Sequence, residues 1–283
     1  MSISTASVLA ELNISVWTAN KLDRAATEKV TGDNNAVSNA AQVRKNLMAG
    51  TSIRKDIADF AASFRTWHIW RTLPWADKGP RLLPIGQFLD YKPEADTRTQ
   101  HYWALVDKFC VAYPSLVKTS HNYMGTLFDP SDYPSVDEVR GKFGLRLVFS
   151  PLPESGDFRL DVPQQDLDAM RQGYEDNYNT RLKDAMGEAW LRLHKALTHI
   201  SSKLTEAENE NEKKRYHETL LTNPKELCDL LSHLNVTNDP DLEKARHKLE
   251  QAIEGVDIED IKESANQRAD VKSCVDEIIK DFW

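Results

Sequence analysis

The chain contains little cysteine and no long hydrophobic run. Its three cysteines, Cys110, Cys228 and Cys274, are far apart and odd in number. This spacing argues against a disulfide framework and against a zinc site built from paired cysteines. No stretch of about 18 apolar residues occurs, and the first residues lack the basic and apolar regions of a signal peptide. We therefore expect a cytoplasmic protein with no membrane association.

The sequence also lacks the motifs of common enzyme classes. It has no P-loop, no GxGxxG dinucleotide fingerprint and no GxSxG nucleophile elbow. His217 and Glu218 begin like a zinc-protease motif, but Leu221 stands where the second histidine ligand is needed. These absences favour a non-enzymatic protein with no catalytic residue, metal or cofactor. An enzyme whose metal site is assembled from distant segments remains an alternative.

Charge of one sign is concentrated at one end of the chain. The net charge of −8 argues against a general nucleic-acid binder, which needs a basic surface to neutralise phosphates. Residues 1–92 hold 12 Lys/Arg and 8 Asp/Glu, whereas residues 201–283 hold 12 and 20. We interpret the acidic C-terminal part as a solvated helical surface. A site for a basic partner, or mimicry of nucleic acid, is the alternative interpretation.

Apolar spacing predicts helices along the N-terminal half. Residues 13–48 suggest two short helices around the polar turn Thr31–Asn35. The next helix is predicted from apolar residues at steps of three and four between Ile53 and Trp67, and Pro74 should help to end it. Residues 93–128 are again helical in pattern.

A long amphipathic helix is predicted from about Gln164 to Leu204. Its apolar residues stay within one stripe, which must be buried either in a bundle core, the favoured interpretation, or in a subunit interface. Shorter helices separated by Asn223-Pro224 and by Asn238-Asp-Pro240 should follow. The stripe consists of Leu182, Met186, Ala189, Leu193, Leu197, Ile200 and Leu204.

The clearest strand pattern lies at residues 145–149 and 157–162, where apolar and charged residues alternate in the second arm. The predicted fold is therefore mainly α, a helical bundle with long amphipathic helices and one small β-hairpin at about 145–162. We expect a helical domain over residues 1–204 and an acidic helical region over residues 205–283.

Aromatic and arginine side chains crowd around the proline-rich stretch RTLPWADKGPRLLP, residues 71–84. They could form a tryptophan-rich core beneath a stiff loop, the favoured interpretation, or a surface that binds a protein or stacks single-stranded bases. In the first case Trp75 anchors the turn. Together with two residues of the predicted hairpin, the interaction candidates are Arg65, Trp67, Trp70, Arg71, Trp75, Arg81, Phe158 and Arg159.

The run FDPSDYPSVDE places Asp129, Asp132, Asp137 and Glu138 close together. These carboxylates could hold a divalent cation, but the run lacks the ligand spacing and central glycine of a calcium loop. Turn and capping roles are the favoured interpretation. In particular, Ser135 and Glu138 have the spacing of a capping box at a helix start.

Several segments resemble an uncharacterised family of phage and integrative-element proteins. The segments are ISVWTANKLDRAATEKV, TLPWADKGPRLLP, LFDPSDYPS with Lys142-Phe143, and PLPESGDFRLDV, in this order within residues 13–200. Members of that family are often encoded near a CobS/MoxR-like AAA+ ATPase. The resemblance implies a phage or mobile-element setting, in the host-cell cytoplasm if phage-encoded, and supplies no catalytic residue.

The leading functional hypothesis is a non-enzymatic phage or mobile-element protein that forms a homo-oligomer or binds another protein, with a AAA+ ATPase as a candidate partner. The first alternative is an accessory factor that binds single-stranded nucleic acid in replication or recombination, using the basic N-terminal third. The second is an antagonist of host defence that presents the acidic C-terminal helices.

Overall fold

The computed structural model describes residues 3–153, 164–205 and 215–283, and these residues confirm the predicted mainly α fold. Two units form, each from separate stretches of the chain. The first unit contains residues 1–11, 69–91 and 148–283, and the second contains residues 12–68 and 92–147. The expected division near residue 205 does not coincide with these units, because the long helix before it and the helices after residue 215 lie in the same unit.

The elements follow one another with few long connections. The helices are α1 Ile3–Ala6, α2 Arg24–Asp33, α3 Ile53–Arg71, α4 Ile85–Met124, α5 Val136–Arg140, α6 Gln164–Leu204, α7 Thr219–Leu234, α8 Pro240–Ile253, α9 Ile258–Glu263 and α10 Ala265–Phe282. The strands are β1 Ser7–Ser15, β2 Asn20–Leu22, β3 Arg44–Asn46, β4 Leu73–Pro74, β5 Arg81–Pro84 and β6 Gly144–Pro151.

The proline-rich stretch that we interpreted as a loop is a short β-hairpin. In it β4 pairs antiparallel with β5, so that Leu73 lies opposite Leu82 and Pro74 opposite Arg81. Strand β5 also pairs with β1, and among the described residues the sheet order is β4-β5-β1-β6. Pro74 is tolerated because β4 is an edge strand, where one side of the backbone needs no ladder hydrogen bond.

The hairpin predicted at about 145–162 is found only in part. Its first arm is strand β6, which lies next to β1 in the sheet. Its second arm, residues 157–162, lies outside the described residues.

The prediction of two helices over residues 13–48 is wrong. One helix, α2, forms in the described part of this range, and Asp23 caps it by accepting a hydrogen bond from Ala26 N at 2.9 Å. The remainder includes the end of β1 and the two-stranded ribbon of β2 and β3. Leu9 and Ala10 of β1 are buried, and β1 pairs with β5. Pairing with a distant segment therefore determines the extended conformation of β1, rather than the helix propensity of its own residues.

Three prolines lie inside helices, two of them where we predicted a helix start near residue 93 or a break at Pro224. Pro93 and Pro114 lie within α4, which begins at Ile85, and Pro224 lies within α7. A proline removes one backbone hydrogen bond and crowds the preceding turn. In α7 the burial of leucines on both sides, such as Leu221 and Leu227, offsets that loss. The second predicted break is confirmed, because α8 begins at Pro240.

Each unit has its own hydrophobic core. In the second unit the ring of Trp17 contacts Phe109 and Tyr113, and Tyr102 donates a hydrogen bond to the Ser15 carbonyl at 2.6 Å. In the first unit the C-terminal half of α6 packs with α7, α8 and α10. Asp239 joins two of these helices, since it caps α8 through Asp241 N and accepts a hydrogen bond from Trp190 Nε1 at 2.9 Å.

Candidate protein-binding surface

Helix α6 has a buried half and an exposed half. None of the residues from Gln164 to Asp184 is buried, and burial begins at Ala185 and recurs to Leu204. We call residues 164–184 the exposed half of α6. The two interpretations of the long stripe therefore concern different parts of one helix. The half from Ala185 onward lies in a core, as the favoured interpretation predicted.

The apolar stripe continues into the exposed half, where Arg171 and Arg181 also lie at its angle around the helix. Leu167, Tyr178, Ala189 and Ile200 recur at intervals of eleven residues, the repeat that keeps a stripe almost parallel to the axis of an α-helix. Tyr178 and Leu182 pack against the edge of the first unit's core. By contrast, neither core of the described residues includes Leu167, Met170 or Tyr174, and Met170 is 40% exposed.

The charged side chains of the exposed half differ between its two ends. Asp166 and Asp168 lie near the start of the helix, and Arg181 and Lys183 lie about four turns later. Asp168 accepts hydrogen bonds from Gln164 and from Arg171. Neither Arg181 nor Lys183 forms a hydrogen bond or ion pair within the part of the chain that the structure describes. Lys183 is exposed, whereas Arg181 is half-buried and lines a cavity beside the β4–β5 hairpin.

The β4–β5 hairpin lies beside the exposed half of α6. Trp75 is 5% exposed and meets the ring of Tyr178 edge to face, with ring centroids 5.3 Å apart. Next to this contact is an open cavity of about 570 Å³. Its lining carries charges of both signs, including Asp77, Arg81 and Asp184. The hairpin thus packs against the middle of α6, around Tyr178.

A buried arginine attaches α6 to the end of α3. The guanidinium of Arg192 donates hydrogen bonds to the carbonyls of Ile69, Trp70 and Thr72 at 2.8–3.0 Å, and it pairs with Glu188 at 3.1 Å. These carbonyls belong to the C-terminal end of α3, where a helix lacks internal donors and favours positive charge. Burial lowers the pKa of this guanidinium below its usual range.

Arg81 binds the same turn from the hairpin side. It donates hydrogen bonds to the Thr72 hydroxyl at 2.7 Å and to the Thr72 carbonyl at 3.2 Å. Burial lowers its pKa first, and the neighbouring positive charge of Arg192 lowers it further. Arg81 therefore holds the turn between α3 and β4, while part of its side chain lines the cavity.

The structure separates the arginine and tryptophan candidates into two groups. In the second unit, Arg65 is exposed and donates a hydrogen bond to the Ile14 carbonyl at 2.7 Å, while the guanidinium of Arg98 lies 4.8 Å from the Trp67 ring.

In the first unit, Trp70 is 38% exposed beneath Arg192, and Arg71 is half-buried at the end of α3. Trp75 and Arg81 line the same cavity. Phe158 and Arg159 lie outside the described residues.

Sequence reasoning missed Leu167, Met170 and Tyr174 as candidates for an interface. The predicted stripe began at Leu182, although the eleven-residue interval continues from Ile200 back to Leu167. The eleven-residue interval could be identified in the sequence. The position at which burial ends could not, because it depends on how far the other helices extend along α6.

The acidic run at 129–138 has the capping geometry predicted for it. Ser135 and Glu138 form a capping box, and Asp129 accepts a hydrogen bond from Ser131 N at 2.9 Å. Hydrogen bonds from the Ser135 backbone and hydroxyl lower the pKa of Glu138. Asp132 instead pairs with Lys45 of β3. In the described ranges, no group of three or more His, Cys, Asp or Glu could hold a metal ion.

Comparison of the chain with protein-family models, with curated proteins and with solved structures gives no match. Among the residues that the structure describes, no helix combines the length and the apolar character needed to cross a bilayer.

Proposed function

We propose that this chain is a non-enzymatic phage or mobile-element protein that acts by binding another protein through the exposed half of α6. One observation carries the proposal: the apolar stripe that forms the first unit's core continues past Tyr178, at the edge of that core, to Met170 and Leu167, which neither core of the described residues includes. Apolar surface left in water is a source of association free energy, about 25 cal/mol for each Å² that a partner covers.

The phage setting comes from the family resemblance, and it makes a AAA+ ATPase encoded nearby one candidate partner. A second copy of the chain is the other. Both candidates would meet the same surface, an apolar stripe with the acidic residues Asp166 and Asp168 beside its N-terminal end. Such a polar rim around an apolar centre is the usual anatomy of a protein interface.

The test is the native mass across a concentration series, together with capture of the purified neighbouring ATPase. We expect a multiple of 32.2 kDa, a complex with the ATPase, or both. Met170→Glu should reduce the association, because it places a charge in the stripe. Ala169→Glu is the matched control, since Ala169 is also exposed but lies on the opposite side of the helix. Unchanged association of Met170→Glu, or a lone monomer with no ATPase complex, would refute the proposal.

A second candidate function, binding of single-stranded nucleic acid, is favoured by the division of charge between the units. The second unit holds 15 Lys/Arg and 12 Asp/Glu, whereas the first unit holds 21 and 32. Nucleic acid would therefore bind the second unit, and binding should weaken as salt rises. Fluorescence anisotropy with a labelled oligonucleotide at low salt tests this candidate, and absence of binding there would remove it.

A further inference from the structure

We propose that the cavity between the β4–β5 hairpin and α6 binds an extended, basic peptide segment of another protein. This inference concerns a different surface from the apolar stripe, and it goes beyond the proposed function. It depends on the shape of the cavity, the charges of its lining and the spacing of its carboxylates. All of the lining residues belong to the first unit.

The cavity is a groove that is elongated along α6. Its lining on this helix extends from Gly173 to Asp184, about 17 Å at 1.5 Å per residue. The hairpin supplies the second wall, through residues 74–77 and Arg81. A groove of about 17 Å accommodates about five residues of extended chain at 3.3 Å per residue. Its volume of about 570 Å³ also lies within the usual range of ligand sites.

The groove carries more negative than positive charge. Among the described residues, three carboxylates line it, those of Asp77, Asp176 and Asp184, against the guanidiniums of Arg81 and Arg181. Arg81 is already bound to the turn between α3 and β4. The first unit as a whole is acidic, with 21 Lys/Arg and 32 Asp/Glu. A cleft with an excess of one charge attracts ligands of the opposite charge, so a basic peptide is favoured.

The three carboxylates are available to such a peptide. Asp77 and Asp184 are exposed, and neither forms a hydrogen bond or ion pair within the part of the chain that the structure describes. Asp176 accepts a hydrogen bond from the side-chain amide of Gln172 at 3.0 Å. This donor is neutral, so the negative charge of Asp176 remains uncompensated. Each carboxylate can therefore pair with a cation of the partner.

The spacing of the two carboxylates on α6 specifies the spacing of the basic residues. Asp176 and Asp184 are two turns apart, about 12 Å along the helix axis. In an extended peptide, residues i and i+4 are about 13 Å apart and point to the same side. Lysine or arginine at these two positions can therefore reach both carboxylates at once.

The residues between these carboxylates define the middle of the peptide. Asn177 and Thr180 offer an amide and a hydroxyl, which can donate hydrogen bonds to a peptide backbone and accept them from it. Arg181 lies in the same interval and has no hydrogen bond or ion pair among the described residues. Its positive charge disfavours a third basic residue there and favours an acidic one. The expected order is basic, any residue, acidic, any residue, basic.

Fluorine NMR of the full-length protein labelled with fluorotryptophan tests the inference, because Trp75 lines the groove. Trp75→Phe assigns its resonance. The probe is the peptide Lys-Thr-Glu-Thr-Lys, and the control peptide Lys-Lys-Glu-Thr-Thr has the same composition with the wrong spacing. We expect the probe to shift the Trp75 resonance at millimolar concentration and the control to bind about two- to fivefold more weakly, as loss of one exposed ion pair does. No shift with the probe, or equal binding of the two peptides, would overturn the inference.

Charge variants locate the binding site. Asp176→Asn and Asp184→Asn should each weaken binding of the probe about two- to fivefold, since each removes one exposed ion pair. Asp166→Asn is the matched control, because it removes the same charge from the same helix outside the groove and should leave binding unchanged. Equal effects of the three variants would show a general attraction to an acidic surface and would overturn the inference.

Arg181→Gln should act in opposite directions on two peptides. It should weaken binding of Lys-Thr-Glu-Thr-Lys, because the central glutamate loses its partner. It should strengthen binding of Lys-Thr-Lys-Thr-Lys, because the central lysine is no longer repelled. Each change should be about two- to fivefold, the range for exposed charges. A change in the same direction for both peptides would overturn the proposed placement of the peptide in the groove.

Discussion

Replacing Arg192 with methionine should strongly destabilise the first unit. The residue is 7% exposed, and its guanidinium serves three carbonyls at the end of α3 and the carboxylate of Glu188. Methionine preserves most of the apolar stem but has no donor. The change therefore leaves the Ile69 and Trp70 carbonyls without their charged donor, while Arg81 still donates to the Thr72 carbonyl and the packing of α6 changes little.

The magnitude can be bounded from these contacts. A hydrogen bond to a charged group contributes about 1.5–3 kcal/mol, and removing one member of a buried ion pair costs about 3–5 kcal/mol. The contributions do not add, because Glu188 is partly exposed and can regain water. We therefore expect a loss of about 3–5 kcal/mol in the free energy of unfolding, near the value for breaking a buried pair. The free energy of unfolding of Arg192→Lys should lie between those of the wild type and Arg192→Met. One ammonium group cannot make all the hydrogen bonds that the planar guanidinium makes.

Urea unfolding followed by tryptophan fluorescence measures this loss, and thermal unfolding should show a fall of about 6–20 °C. Arg181→Met is the matched control on the same helix, because that side chain has no hydrogen bond or ion pair within the described residues. We expect it to stay within about 0.5 kcal/mol of the wild type. If Arg192→Met were equally mild, the contacts at the end of α3 would not contribute to stability and our reasoning would be wrong.

Three further predictions concern the first unit. Trp75→Ala should cost about 3–5 kcal/mol, as large-to-small changes in a core do, and an unchanged melting temperature would contradict its anchoring role. Asp239→Ala should cost about 1–3 kcal/mol through loss of the α8 cap and of the bond from Trp190, while Asp239→Asn should retain most of the cap. In thiol titration at pH 8, Cys274 should react quickly and Cys228 only after unfolding, because burial raises the pKa of Cys228 to about 12. Fast labelling of Cys228 in the folded protein would contradict this assignment.

Local signals predicted the helical elements well where one periodic stripe decides the structure. Helix α6 spans Gln164–Leu204, the range predicted for it, and Ser135 caps α5 as its motif predicted. Both signals depend on residues within a few turns of one another. Predictions from such local signals therefore do not require knowledge of the rest of the fold.

The strands near the N-terminus could not be predicted in this way. Strand β1 is stabilised by pairing with β5, more than 70 residues later in the chain. The hairpin of β4 and β5 contains Pro74 and Pro80, which in sequence indicate a loop. Only its place at the edge of a sheet shows why Pro74 can belong to a strand.

The exposed half of α6 follows from a mismatch of lengths that a local pattern cannot reveal. The stripe from Leu167 to Leu204 is about 55 Å long at 1.5 Å per residue. The 16 residues of α7 and the 18 of α10 form helices of only about 24 and 27 Å. A helix lying along α6 can therefore cover about half of the stripe, and burial of the remainder needs additional surface.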